Sequence, residues 1–483
     1  MTRESATLLT LVLYKLVLLG IGFFAHRKNR DSEDFFLGGR QLSPLVAAIS
    51  ASASSSSAWT LLGVSGAAYA WGLSAIWLWP ACVGGFIFNW YVLAPRVQSL
   101  SRERGALTLT DLISGPSTSP WHPRIKGLCS VIIVFSFTVY IASQFDGAGK
   151  TFHETFGLPT AESILIGAGI IVLYTLLGGF WAVSLTDTLQ GIVMAVTALV
   201  LPLAALQAVG GWGGFTHGLN ALTATEGLAG FTNAFNKPGS ASVAGFILGT
   251  LGIGFGYAGQ PHVVNRFMAL VDAPRAVSRA RVIAVGWSVI VYSGMLLLGW
   301  CGRILFTSLN DSEVIFIAAA NHLFPPVFSG VMLAAVLSAI MSTADSQLLV
   351  AGSALTHDLG WGGDKPKTMI FRSRVVIFLI SVVAVIAAIA GPQDIFSRVL
   401  FAWTAMGSAF GPLLIAQSFR RVVPSKRRFA AILLGALLSI TAYSIPATKG
   451  GVFERMVPFG LGLLICFWPT APPSKTAVRS PDA

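Results

Sequence analysis

The sequence predicts an all-α membrane protein of about thirteen transmembrane helices, arranged as two inverted five-helix repeats with discontinuous first helices. Three observations predict it. Of 483 residues, 54% are apolar and only 11% charged, more apolar surface than a soluble core could hold. Hydrophobic segments recur from the first residues almost to the last. Two of them, at corresponding places, are interrupted by runs of serine or glycine.

The chain reads as one integral membrane domain, 1–483: a first helix at about 7–25, repeat one at about 42–207, repeat two at about 241–418, two more helices at about 428–468, and a short cytoplasmic tail, 469–483. The apolar run Leu8 to Ala25 is followed by basic residues from His26 to Arg30 where a cleavage site would need small ones, so it reads as a retained helix. The segments centre near residues 16, 54, 80, 136, 171, 198, 250, 291, 341, 383, 408, 438 and 461. The entry at Phe324-Pro325-Pro326 and the short last segment from Met456 have the softest boundaries. The stretch from Gly210 to Ser240 reads as a loose loop or a loop with a short surface helix.

The net charge of +12 is explained by topology rather than by a nucleic-acid partner, because Lys and Arg lie in clusters between apolar runs. Alternate loops collect about 24 of them on one side and about seven on the other, which places the N-terminus outside and the C-terminus in the cytoplasm of a plasma-membrane protein. Cys82, Cys129, Cys301 and Cys466 lie in or beside apolar stretches without metal-ligand spacing and read as core residues.

Segment 2 carries Ser50 to Ser57 as an almost continuous run of serine and alanine, and segment 7 carries Gly249 to Gly259 before Pro261. Serine competes for backbone hydrogen bonds and glycine loses the most entropy in a helix, so both segments are predicted to unwind at mid-depth and free carbonyls toward a cavity. Segments 2–6 and 7–11 then form two sets of five with opposite orientation, the arrangement that marks a transporter's midplane site. Close packing of small residues is the plainer account of either run alone.

Several stretches resemble the sodium:solute symporter family, its sodium/proline symporters above all: Phe36 to Arg40, the serine run to Trp59, Tyr174 to Gln190, Gly256 to His262, and Ser338 to Gln347. The resemblance implies an amino-acid/sodium symporter-like fold and a sodium ion as coupling ion, with no other cofactor. It implies sodium ligands at the carbonyls of Ala53, Ser56 and Ala339 and the hydroxyls of Ser342 and Thr343. Neutral oxygens suit a hard cation that must also leave. Asp187, Asp345 and Ser346 are candidates for a second cation or the release path, with a helix N-cap as the plain alternative for Asp187. Lys15 reads as snorkelling or pairing at the protein's edge.

Ser54, Ser55, Ser57, Tyr140, Gln144, Asp146, Ile253, Tyr257, Gln260 and Pro261 are the candidate solute-binding residues. Ser55 and Ile253 stand where the proline carriers have aspartate and tryptophan, whereas Tyr140 and Pro261 match. The implied activity is sodium-coupled import of a small organic solute, proline or a related amino acid, by alternating access. Proton coupling, an organic acid or vitamin as solute, and a transporter-derived sensor are the alternatives. The seven histidines show no paired metal-ligand spacing and no nucleophile elbow or phosphate loop occurs, so the chain does not read as an enzyme. The partners are the solute, sodium and lipid, not nucleic acid, for a monomer or loose oligomer.

Overall fold

The computed structural model describes residues 3–26, 32–177, 179–224, 228, 230–235, 242–363 and 366–469. The tail beyond residue 469, the basic cluster at 27–30, Gly178, Lys365 and parts of the 210–240 stretch lie outside them. Each of the thirteen segment centres falls in a helix. In chain order these are α1 (Arg3–His26), α2 (Pro44–Ser55, resuming through Trp59–Gly63 into Val64–Trp71), α3 (Leu78–Phe88, on to Ala94–Glu103), α4 (His122–Phe156), α5 (Thr160–Leu177), α6 (Phe180–Ala208) and α7 (Val243–Leu251, Gly252–Gly259 and Pro261–Ala269). There follow α8 (Ala276–Leu305), α9 (Pro326–Ser353), α10 (Pro366–Ala390), α11 (Ile395–Ser418), α12 (Ser425–Ser444) and α13 (Val457–Phe467). The 210–240 stretch holds a short helix, Gly211–Thr223.

Among the described residues, eight helical stretches are long and apolar enough to cross a membrane unaided, and the two parts of α7, bent by 49°, make a ninth. The stretch Trp59–Glu103 counts as one of the eight, yet its chain reverses at Gly72. Gly299 packs on the Ser65 carbonyl, Trp300 donates to the Gly72 carbonyl, Trp79 donates to Ser293, and Phe86 stacks on Trp287. The chain thus climbs α8 as far as Gly72 and descends it again. Gly72 has φ +67°, a left-handed conformation that glycine adopts without a Cβ penalty.

Both interrupted helices open on a serine cap: Ser43 accepts from the Val46 N–H at 3.3 Å, and Ser242 from the Gly245 N–H at 3.0 Å. The α2 helix stops at Ser56 and Ser57, while α7 tightens into a 3-10 turn over Gly252–Gly259 and restarts at Pro261. They run antiparallel. Leu42, at the start of α2, pairs with the end of α7 through Leu42 N–H to Ala269 O (3.1 Å) and Val271 N–H to Leu42 O (2.9 Å). At the other face Trp71, at the end of α2, meets Phe246 near the start of α7 with ring centroids 6.1 Å apart. The α9 and α11 helices are buried on nearly every side, whereas α1 and α10 turn most of their apolar side chains outward, as helices at a lipid boundary do.

Candidate functional site

Where α2 unwinds, its carbonyls meet α9. The Ser342 hydroxyl lies 3.2 Å from both the Ala53 and Ala339 carbonyl oxygens, and the Thr343 hydroxyl donates to the Ser54 carbonyl at 2.9 Å. Ser56 closes the turn through its N–H to Ala53 O at 3.1 Å. The five predicted sodium ligands are therefore neighbours, fully buried, and offer neutral oxygens from two helices. Back-bonding alone would tie Ser342 and Thr343 to α9 itself; instead Thr343 reaches across to α2, and Ser342 is shared between Ala339 of its own helix and Ala53 of α2.

The second half of α2 starts with free N–H groups that side chains cover. Ala58 N–H donates to Gln144 Oε1 (3.0 Å) and Trp59 N–H to the Ser57 hydroxyl (3.1 Å), to which Tyr140 also donates (3.2 Å). Tyr140 and Gln144 share one face of α4. Asp146 lies about 200° round the helix from Gln144, one turn from Lys150, and both its oxygens are without a partner among the described residues. The structure thus keeps Asp146 apart from the serine break. Ser55 bonds back to the Ser52 carbonyl at 3.0 Å. Gln260 donates to the Gly256 and Trp403 carbonyls (2.9 and 3.2 Å), and Pro261 opens the second half of α7. Tyr257 turns its hydroxyl to Tyr292 at 2.7 Å, whose own hydroxyl lies 3.4 Å from that of Thr60 just beyond the serine break, and Ile253 is buried in the 3-10 turn.

Three residues that matter here were not legible as site residues. Trp403 of α11 lies between Tyr140 and Tyr257, with ring centroids 6.3 and 4.7 Å away. His262, second residue of the restarted half of α7, is fully buried against Phe137. Arg266 falls in the basic cluster by sequence, yet it is 1% exposed and pairs with Asp187 at 2.9 Å. A span of roughly 20 residues counted from Val243 ends near His262, which leaves Arg266 beyond it by sequence.

Asp187 sits two turns into α6, which starts at Phe180, so it is not an N-cap. Ser50 donates to it at 2.8 Å. Ser346 joins that cluster through Arg266, whereas Asp345 is bound separately by Thr175. Lys15 does not snorkel outward; its ammonium reaches Met341 on α9, one turn from Asp345.

Above the break, a vestibule of about 950 Å³ opens between Ala67 and Trp71 of α2, Phe246 and Thr250 of α7, and the start of α11. Phe396, packed on Trp59 and Trp71 with centroids 5.5 and 5.1 Å away, lies between it and the serine turn. Lys150 ties α4 to Asp311 (2.7 Å) and Glu313 (2.6 Å), and Glu313 accepts from the Ile395 and Phe396 N–H groups (3.2 and 2.8 Å). Burial pushes the Glu313 carboxyl above its ordinary range, against the opposing pull of Lys150.

Two antiparallel broken helices, neutral oxygens at their break and a vestibule above it define a cation-coupled secondary transporter. The comparisons agree with that class. Residues 35–435 match the sodium:solute symporter family, and the chain belongs to it. It is 34% identical to the osmoregulated proline transporter of Bacillus subtilis, covering 98% of this chain and 96% of the relative. It is 33% identical to a sodium/proline symporter of Staphylococcus aureus, covering 90% and 85%. A solved Na+-coupled sialic acid symporter in a substrate-bound outward-open state shares the fold, with a TM-score of 0.75 over 95% of this chain and 96% of that one at 16% identity. The nucleobase-cation-symport transporter Mhp1 is a more distant fold match, with a TM-score of 0.55 at 13% identity over 91% and 95%.

Proposed function

We propose that this chain is a sodium-coupled importer of proline, with its N-terminus outside, its C-terminus in the cytoplasm and the vestibule open to the outside. The observation that carries the reading is the reach of Ser342 and Thr343 to the Ala53 and Ser54 carbonyls. Sodium takes the place of those hydrogen bonds, held by Ala53, Ser56, Ala339, Ser342 and Thr343. Only neutral oxygens are involved, so the ion binds weakly enough to leave on the other side.

Proline presents a carboxylate, a secondary ammonium and an apolar ring. The α2 N–H groups of Ala58 and Trp59, now covered by Gln144 and Ser57, form a half-helix N-terminus suited to the carboxylate. The face of Trp403 suits the ring, and Tyr140 and Gln260 complete the pocket. Family resemblance and proline-carrying relatives support the solute. Rocking of one helix set against the other then exposes both ligands to the cytoplasm, where Asp345 lines the exit.

Uptake of labelled proline by proteoliposomes, under imposed sodium or proton gradients at fixed pH, tests this. Sodium-driven accumulation is the expected result. Accumulation that ignores sodium and follows protons, or sodium-driven uptake of other solutes with proline excluded, would overturn it.

A further inference from the structure

On the basic face, between the 104–117 loop and the first turns of α4 and α12, lies a pocket of about 680 Å³. Arg104, His122, Lys126, His357 and Arg428 line it, with Asp111 as the one carboxylate in its wall. Asp111 is already taken by Lys126 and His357, at 2.8 and 3.2 Å. Arg428 is 6% exposed. It donates from Nε to the Val423 carbonyl (2.7 Å) and from Nη1 to the Ile113 carbonyl (3.1 Å), while Nη2 has no acceptor among the described residues. Gly115, with φ +85°, lies so close to the guanidinium that a Cβ there would sit 3.2 Å from its carbon. Arg104 uses Nη1 for the Leu112 carbonyl (3.1 Å), and its other nitrogens are without acceptors among the described residues.

A guanidinium taken out of water is costly unless a negative charge faces it. Among the described residues no carboxylate lies within ion-pair reach of Arg428 or Arg104, and the charge that acts most strongly on Arg428 is a like one, Arg104. Both helices that begin at the pocket, α4 at His122 and α12 at Ser425, carry cations and no acid in their first turn, against their own dipoles. Their free N–H groups add to the pull on an anion. The bias of basic residues to one side of a membrane accounts for exposed cations such as Lys426, but not for a buried one without a counter-charge. Trp121 and Phe429, the chain neighbours of His122 and Arg428, pack with ring centroids 5.3 Å apart, and aromatic rings of this kind mark the level of lipid headgroups.

We propose that this pocket binds a phosphate group, that of an anionic phospholipid headgroup or of a free phosphate ion, with Arg428 Nη2 and the Arg104 guanidinium as its donors. The bound anion supplies the missing counter-charge and ties the start of α12 to the 104–117 loop and to α4. Basic pockets between membrane helices take phospholipid headgroups through the same chemistry. None of the residues assigned to sodium or proline takes part.

The test is the thermal stability of the purified full-length chain in detergent, with native mass spectrometry of what it retains, on adding phosphatidylglycerol, phosphatidylcholine, or inorganic phosphate against chloride at matched ionic strength. Stabilisation and a retained adduct with phosphatidylglycerol, but not with phosphatidylcholine, whose choline the pocket's cations repel, assign the site to a headgroup. Saturable stabilisation by inorganic phosphate beyond that of chloride assigns it to the free ion. In either case Arg104→Gln and Arg428→Lys each raise the anion concentration for half-maximal stabilisation roughly tenfold, whereas Lys426→Gln, on the same face outside the pocket, leaves it unchanged. If Arg428→Lys does not fold, Arg104→Gln, at an exposed side chain, decides the matter alone. A wild type that phosphatidylglycerol stabilises no more than phosphatidylcholine, and phosphate no more than chloride, overturns the proposal. Unchanged anion dependence in Arg104→Gln, or an equal loss in Lys426→Gln, marks a diffuse attraction of anions to the basic face and overturns it likewise.

Discussion

The two oxygen clusters on α9 lie one helical turn apart and are built differently. Around Ser342 and Thr343 the oxygens are neutral, and the hydroxyls fall back on the α2 carbonyls. Around Ser346 the cluster includes the Asp187 carboxylate and holds Arg266. The difference separates a cluster whose chemistry suits a mobile ion from one whose cation is fixed. A carboxylate buried in low dielectric grips a cation too firmly for rapid release, and a tethered partner cannot be lost, whereas neutral dipoles bind and let go.

The largest effect that probes this contrast is expected for Asp187→Asn. It leaves a guanidinium that is 1% exposed without its carboxylate, a loss of about 3–5 kcal/mol. The variant should show sharply reduced membrane yield and thermal stability, measured by fluorescence-detected gel filtration; wild-type stability would deny the pair its structural weight. Gly256→Ala comes next. A Cβ there would lie 1.7 Å from the Trp403 indole, so the indole must move at a cost of roughly 1–3 kcal/mol, with proline affinity falling more than sodium affinity.

Gln144→Ala uncovers the Ala58 N–H and leaves it buried, at a cost of about 1–3 kcal/mol. Because the carboxylate then has no Gln144 to displace, the KM for proline should fall, with proline stabilising the variant against heat more than it stabilises the wild type, while the sodium activation constant changes little. The smallest effect is on the basic face, where Asp111 binds Lys126 (2.8 Å) and His357 (3.2 Å). Burial alone would raise its carboxyl, but these two partners outweigh burial and hold it below the usual range. A depressed carboxylate contributes stability above its unfolded pKa of about 4 and loses it only as pH falls through the lower folded value. Asp111 in turn raises the His357 imidazole, whose contribution is lost as pH climbs through that raised value, so thermal melts of the wild type and Asp111→Asn should differ most near pH 5, by about 1 kcal/mol or less for so partly exposed a pair, less at pH 8, and converge in stronger acid.

Much of the fold was legible because a bilayer demands long apolar helices and because serine and glycine runs weaken them wherever they occur. The thirteen segments and both breaks follow from that, as does the meeting of Ala53 with Ser342 once the family's resemblance is added. What sequence does not carry is the register between helices. Arg266 looks like one more basic residue of a loop until the break at Gln260 shows that α7 restarts deep inside. Trp403 belongs to an unremarkable apolar helix, and only the close approach of Gly256 brings its indole against the 3-10 turn of α7. Asp146, by contrast, was readable as polar and buried but not as facing away from Gln144 until helical angles were fixed.

The most direct test of the central claim is the sodium concentration that half-activates proline uptake in Ser342→Ala and Thr343→Ala, compared with the wild type at equal membrane abundance. Loss of one hydroxyl ligand should raise it roughly tenfold in each variant, equivalent to about 1.4 kcal/mol, with proline binding at saturating sodium largely retained. An activation curve superimposable on the wild type in both variants would contradict the assignment of the α2 and α9 oxygens to the coupling ion.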